Sequence, residues 1–248
     1  MKLYPVFPNA PITEALLDIK VQLPQEIDLR SLESFYDFIK DRFPEKQTRS
    51  FFKGEVKISP EVKPPVLSSS SGIDGYIFRS PEENKVVQSR LDGFTFNKLK
   101  PYKNWDSFRS EGRELWEFYS RVANPIKVVR IAVRYINRIE VPLPMENFRE
   151  YILTSPEIAP NLPQGLSHFF MRLEIPNSKI QATAIITQTM ETITKSQTLP
   201  LILDIDVIKE KDYVNGTAAM WNDFEELRIF KNEIFFNSLT DKAKELFK

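Results

Sequence analysis

The run VVRIAVRYINRIEV, Val128 to Val141, constrains the fold more than any other stretch of the chain. Val128, Val129, Ile131, Val133, Ile136, Ile139 and Val141 are β-branched, the class that loses rotamer freedom in a helix and packs well on a pleated surface. Arg130, Arg134 and Arg138 recur at a period shared by a helix stripe and a strand face, so the β-branched content decides for a strand. At roughly 3.3 Å per residue it would span about 45 Å, which predicts a long, curved sheet with a bend or bulge near Asn137. Alternation puts Val129, Ile131, Val133, Tyr135, Ile139 and Val141 on the core face. Arg130, Ala132, Arg134, Ile136 and Arg138 point the other way.

Similar patterning organises the rest. ALLDIKVQL, Ala15 to Leu23, alternates as a half-buried strand and ends at Pro24. Asp28 can cap a helix whose apolar positions, Leu29, Leu32, Phe35, Ile39 and Phe43, run on to Pro44. SFFKGEVKI, GYIFRS, KVVQSRL and FTFNKL then read as antiparallel strands, with breaks at Ser68 to Ser71, Pro81 to Asn84 and the Asp92-Gly93 pair. Asn104 can cap a helix through about Val122. Gly112 lies on its apolar stripe, where a missing side chain would let the helix approach the sheet closely.

The order then recurs: the Val128 strand, a shorter helix from about Glu146 to Leu153, the β-rich runs LSHFFMRLEI, KIQATAIITQTMETIT and LPLILDIDVIKE, and a helical C-terminus from Ala218 to Lys248. The expected fold is α+β, a curved antiparallel sheet with helices on one face. Two similar β-α-β-β-β-α halves, residues 1–124 and 125–248, would join edge to edge as one unit.

Composition excludes several classes of chemistry. The chain of 248 residues has no cysteine, which removes disulfides, thiolate zinc sites and cysteine nucleophiles. Its seven glycines do not cluster, which argues against a glycine-rich phosphate-cradling loop. Lys+Arg and Asp+Glu both total 34, leaving no net charge to recruit nucleic acid or anionic membrane. With neither a leader pattern nor a membrane-length apolar run, the expectation is a soluble, cytoplasmic chain.

Candidate binding residues are the charges on outer strand faces: Arg90, Arg130, Arg134 and Arg138, with Asp204 and Asp206 of LDIDV. An ordinary solvated face held by cross-strand ion pairs is the plainer reading; a concave surface for an anionic ligand or a macromolecular partner is the sharper one. A metal-assisted phosphohydrolase is the alternative, with Asp204, Asp206 and Glu174 holding a hard divalent cation. His168 is the only histidine and stands near no evident nucleophile. LDGFTFNKLKPYKNW interleaves Phe94, Phe96, Tyr102 and Trp105 with Lys98, Lys100 and Lys103, superficially a stacking platform for single-stranded nucleic acid, although core packing explains Phe94 and Phe96. The sequence requires no cofactor or bound metal, and no catalytic residue stands out. Trp221, Phe224, Leu227, Ile234 and Phe235 form an apolar stripe that Phe230, Phe236 and Phe247 widen. That stripe either packs within the chain or serves a protein partner or homodimer; Ser238 or Thr240 can cap a last short helix.

PNAPITEALLDIKV, VVQSRLDGFTFNKLKPYKNW, RYINRIEVP, LPLILDIDV and LRIFKNEIFFNSLTDKAKELF occur in that order. By these motifs the chain resembles, over almost its full length, a family of sporadically distributed bacterial and archaeal proteins of similar size. The resemblance implies no activity, cofactor or site residue. Patchy distribution resembles that of accessory genes, including defence and toxin-antitoxin cargo, and points toward a binding or regulatory role.

Overall fold

The computed structural model describes residues 4–57, 66–191, 197–213 and 218–248; the side chains of residues 52–57 and 66–70 lie outside that description. Its strands are β1 (Ile12–Gln22), β2 (Glu45–Lys57), β3 (Val66–Ser80), β4 (Lys85–Arg90), β5 (Gly93–Leu99), β6 (Lys127–Pro142), β7 (Phe170–Asn177), β8 (Ala182–Met190) and β9 (Thr198–Tyr213). They form one antiparallel sheet of 9 strands in the order β2-β3-β4-β5-β1-β6-β9-β8-β7, an α+β arrangement with β1 and β6 side by side in its middle.

Register explains the core. A single row of opposed residues crosses from β3 to β7 as Phe78, Val87, Phe96, Leu17, Val133, Val207, Ala184 and Ile175. Opposed residues project to the same side, and every member except Ile175, on the edge strand, is fully or almost fully buried. The helices α1 (Leu29–Glu33), α2 (Tyr36–Ile39), α3 (Trp105–Ala123), α4 (Ala218–Ser238) and α5 (Asp241–Glu245) add their buried residues to the core formed by this face. No helix among the described residues is long and apolar enough to cross a membrane.

Local chemistry sets the helix ends. Asn104 accepts a hydrogen bond from Ser107 N at 2.9 Å and caps α3. Gly112 brings α3 close to the sheet: a Cβ there would stand 2.6 Å from Leu17 Cδ1 and 3.3 Å from Phe96 Cδ1. Thr240 caps α5, its Oγ1 accepting from Ala243 N at 3.1 Å.

Several sequence expectations are corrected. The single helix from Asp28 to Phe43 is two short ones, α1 and α2, with Ser34 and Phe35 between them. Ser34 Oγ donates to Ser31 O at 2.7 Å, a local bond that competes with helix continuation. Leu32, Phe35, Ile39 and Phe43 still reach the core. Ser68 to Ser71 do not break the chain; they lie in β3 opposite Glu55 to Phe52, because a ladder is built from backbone groups that serine supplies as well as any residue. The helix from Glu146 to Leu153 shrinks to a 3-10 turn, Phe148–Glu150. Pairing with the C-terminal segment displaces it: Leu153 N donates to Ser238 O at 2.8 Å and Thr240 Oγ1 to Glu150 O at 2.6 Å.

On β6, Val128 and not Val129 is buried, because a register irregularity between Val128 and Arg130 shifts the alternation. The irregularity expected near Asn137 falls in the partner strand. Thr13 of β1 is the extra residue opposite Ile136 and Asn137, and its hydroxyl donates to Ile136 O at 3.0 Å. The C-terminal helical region divides into α4 and α5. Its additional aromatics meet the N-terminal segment: Tyr4 stacks on Phe236 at 4.5 Å, and Phe7 meets Phe247 edge-on at 5.5 Å.

Candidate functional site

The sheet face turned away from the helices carries the charges the sequence singles out. On β1 the alternation that buries Leu17 and Ile19 turns Asp18 outward, between rows that hold Arg130 and Arg134 of the adjacent β6. Two arginines converge on this carboxylate. Arg90 Nη2 donates to Asp18 Oδ1 at 2.9 Å, and Arg130 Nη1 donates to Asp18 Oδ2 at 2.8 Å. Thr95 Oγ1 donates to Oδ1 at 2.7 Å and also receives Arg90 Nη1.

Arg90 is the most enclosed of the four arginines, with a side chain 8% exposed. Its Nε donates to Asp92 Oδ1 at 2.8 Å, and its carbonyl accepts from Tyr119 OH at 2.8 Å. Burial opposes the charged guanidinium, yet Asp18 and Asp92 outweigh it and hold Arg90 above its ordinary value.

Arg134 makes a forked pair with Asp204, Nε to Oδ1 at 2.9 Å and Nη2 to Oδ2 at 2.5 Å. This geometry fixes the guanidinium plane, and the hydrogen bonds to Asp204 raise the Arg134 pKa. Its side chain is nevertheless 42% exposed, against 12% for Asp204. Arg138 stands at the end of the row, donating to Glu191 Oε2 at 2.8 Å and to Glu140.

Asp206 differs from its neighbours. It lies directly opposite Arg134, yet its buried Oδ1 has no hydrogen-bond partner among the described residues. Burial pushes its carboxyl up to about 6, while Arg130 and Arg134 pull it the other way. A buried carboxylate oxygen without a donor costs the fold about 1–3 kcal/mol.

The structure thus brings Arg90, Arg130, Arg134, Asp204 and Asp206 onto one face, with Arg138 at its margin. It does not bring Glu174 to Asp204 and Asp206. Glu174 shares a row with Asp206, but Ile185 of β8 lies between them, a separation of about 10 Å across two strand spacings. Glu174 pairs instead with Arg172. Among the described residues no three of His, Cys, Asp or Glu are placed to hold a metal ion.

His168 is exposed in the segment preceding β7. The aromatic segment is engaged in packing: Phe94 and Phe96 are fully buried, Tyr102 OH lies 2.7 Å from Tyr135 OH, and Trp105 Nε1 donates to Glu225 Oε2 at 2.5 Å.

Three important residues are absent from the sequence-derived set. Asp18 could have been found, since alternation already places it outward, but its two arginine partners depend on long-range register. Asp223, on α4, receives Lys209 at 2.9 Å, Lys211 at 2.9 Å and Tyr213 OH at 2.6 Å, tying that helix to β9. Lys231 sits buried above the Tyr135 ring. Its burial follows from the packing of α4 against β6, a long-range contact that helix periodicity does not reveal. No family model and no curated protein matches the chain.

Proposed function

We propose that the protein is a non-enzymatic binding module whose charged sheet face engages a macromolecular partner. The observation that carries this reading is Arg134, held flat by Asp204 and still 42% exposed on the charged face. A partner that accepts from the exposed part of Arg134 would complete that guanidinium. Each of the four arginines already has a carboxylate, so a small anion would have to displace one. A protein surface bearing both signs can extend the network from its rim without that cost.

We further infer that residues 1–124 and 125–248 are similar halves. The adjacency of β1 and β6, the flanking positions of β5 and β9, and a long helix after each of those flanking strands support this. The first half has an additional strand, β2.

Affinity capture from lysate of the source organism, followed by mass spectrometry, tests the binding role. Arg134→Glu should abolish capture of a partner that the wild-type chain retains reproducibly. No reproducible partner, or equal capture by the charge-reversed protein, overturns the proposal.

A further inference from the structure

A second site lies on the opposite face, independent of the charged surface. Between β7, β8 and α4 is a cavity of about 270 Å³. Leu173, Ile186, Phe230 and Ile234 supply apolar walls, and Gln188 lines it from the sheet side. Alternation on β8 turns Gln188 toward the core, where it is 1% exposed. Both Nε2 and Oε1 are buried without a hydrogen-bond partner among the described residues. Directly opposed across the ladders are Met171 and Leu203, neither of which offers a side-chain amide partner.

A buried amide with neither half satisfied is costly, and a donor and an acceptor side by side define the group that would satisfy it. Lining residues include Glu233 but no lysine or arginine, so an anion would meet repulsion with no counter-charge. A cation bearing only donors would leave Gln188 Nε2 without an acceptor. Phe230 and the aliphatic walls favour a flat apolar body.

We propose that this cavity binds a small, uncharged, planar apolar molecule bearing a carboxamide-type edge, which pairs its donor and acceptor with Oε1 and Nε2 of Gln188. Ile175, 42% exposed on the edge strand, also borders the cavity and gives a point at which to obstruct it.

The test follows the Gln188 side-chain amide by proton-nitrogen NMR in the full-length protein, with benzamide as the uncharged probe and benzoate and benzamidine as charged controls. The signal is assigned through bonds in the wild-type chain and confirmed by its loss in Gln188→Leu. Benzamide should shift it saturably. Benzoate and benzamidine should bind at least roughly tenfold more weakly. Ile175→Trp, which leaves the core and Gln188 in place, should abolish the benzamide shift while retaining the signal. Gln188→Leu, where folded, should lose at least roughly tenfold in benzamide affinity, measured by calorimetry. Absence of a saturable shift in the wild type, undiminished binding to either variant, or a charged control as tight as benzamide overturns the proposal.

Discussion

Lys231 Nζ stands 3.8 Å from the centroid of the Tyr135 ring, and among the described residues no carboxylate forms an ion pair with it. Lys231 is 8% exposed, and burial, with Arg228 adding repulsion, pushes its ammonium down to about 7. The ring face returns on the order of 2 kcal/mol to a desolvated cation, less than the cost of burying the charge. Lowering a lysine pKa on folding makes the unfolded chain the better proton binder between about 7 and about 10, so stability rises with pH across that window. Lys231→Met keeps the apolar stem and removes the amine. It should exceed the wild type in unfolding free energy by on the order of 2–4 kcal/mol near neutral pH, with the gap narrowing toward roughly pH 10. Urea denaturation across the range measures both quantities, and a variant no more stable than wild type at neutral pH rejects this account.

Asp18 predicts a different response because its partners are cations, Arg90 buried and Arg130 half-buried. Removing one member of a buried, hydrogen-bonded pair leaves the other without compensation and costs about 3–5 kcal/mol. Asp18→Ala leaves the buried Arg90 with Asp92 as its remaining carboxylate and releases Arg130, so a loss of about 3 kcal/mol, the low end of that range, is expected. In an Arg90→Met background the same substitution should cost much less. A double-mutant cycle measured by chemical denaturation checks this, and additive losses would show that Arg90 and Asp18 are energetically independent.

The legibility of the fold follows from the range over which each feature is determined. Strand alternation around Leu17, the Asn104 cap and the close approach at Gly112 depend on nearby residues or on the absence of a side chain, and all could be read directly. Breaks were harder. Ser34 ends a helix through one hydroxyl bond, whereas Ser68 to Ser71 continue a strand whose partner must already be in place. Val128 replaces Val129 in the core because of a register irregularity that single-strand alternation cannot reveal. The arginines of β6 were visible as one face, but their pairing with Asp18 and Asp204 depends on neighbours distant in sequence. Gln188 stands in phase with Ala184, Ile186 and Met190 of β8, but its unsatisfied surroundings come from α4 and two other strands.

Asp206 should make stability fall with rising pH in the acidic range. Its folded pKa of about 6 lies above the ordinary aspartate value of about 4. The folded state therefore binds the proton more tightly, giving a contribution fully present below about 4 and lost as pH rises through about 6. Asp206→Asn mimics the protonated group and leaves the Arg134–Asp204 fork intact. Near neutral pH it should gain about 2 kcal/mol over wild type, with the difference vanishing near pH 4. Paired denaturation curves at the two pH values test the sign. A variant less stable at neutral pH would mean that the Asp206 carboxylate is stabilised by its arginine neighbours.

Gly112 sets helix propensity against packing. In an isolated helix, Gly→Ala gains roughly 1 kcal/mol. Here the added methyl would lie 2.6 Å from Leu17 Cδ1, and Leu17 is itself 1% exposed in the central row of the core. Phe96, at 3.3 Å from the same position, limits the room available for adjustment. Overpacking of this kind costs about 1–3 kcal/mol and outweighs the propensity gain, so Gly112→Ala should be net destabilising by about 1 kcal/mol. Leu17→Ala removes the obstructing atom and, alone, creates a cavity costing about 2–5 kcal/mol. In that background Gly112→Ala should reverse sign, because the methyl then enters free volume and the helix preference acts unopposed. Thermal and urea unfolding of the four proteins in the cycle provide the comparison. If the alanine costs the same in both backgrounds, the close approach of α3 to β1 is not what requires glycine at this position.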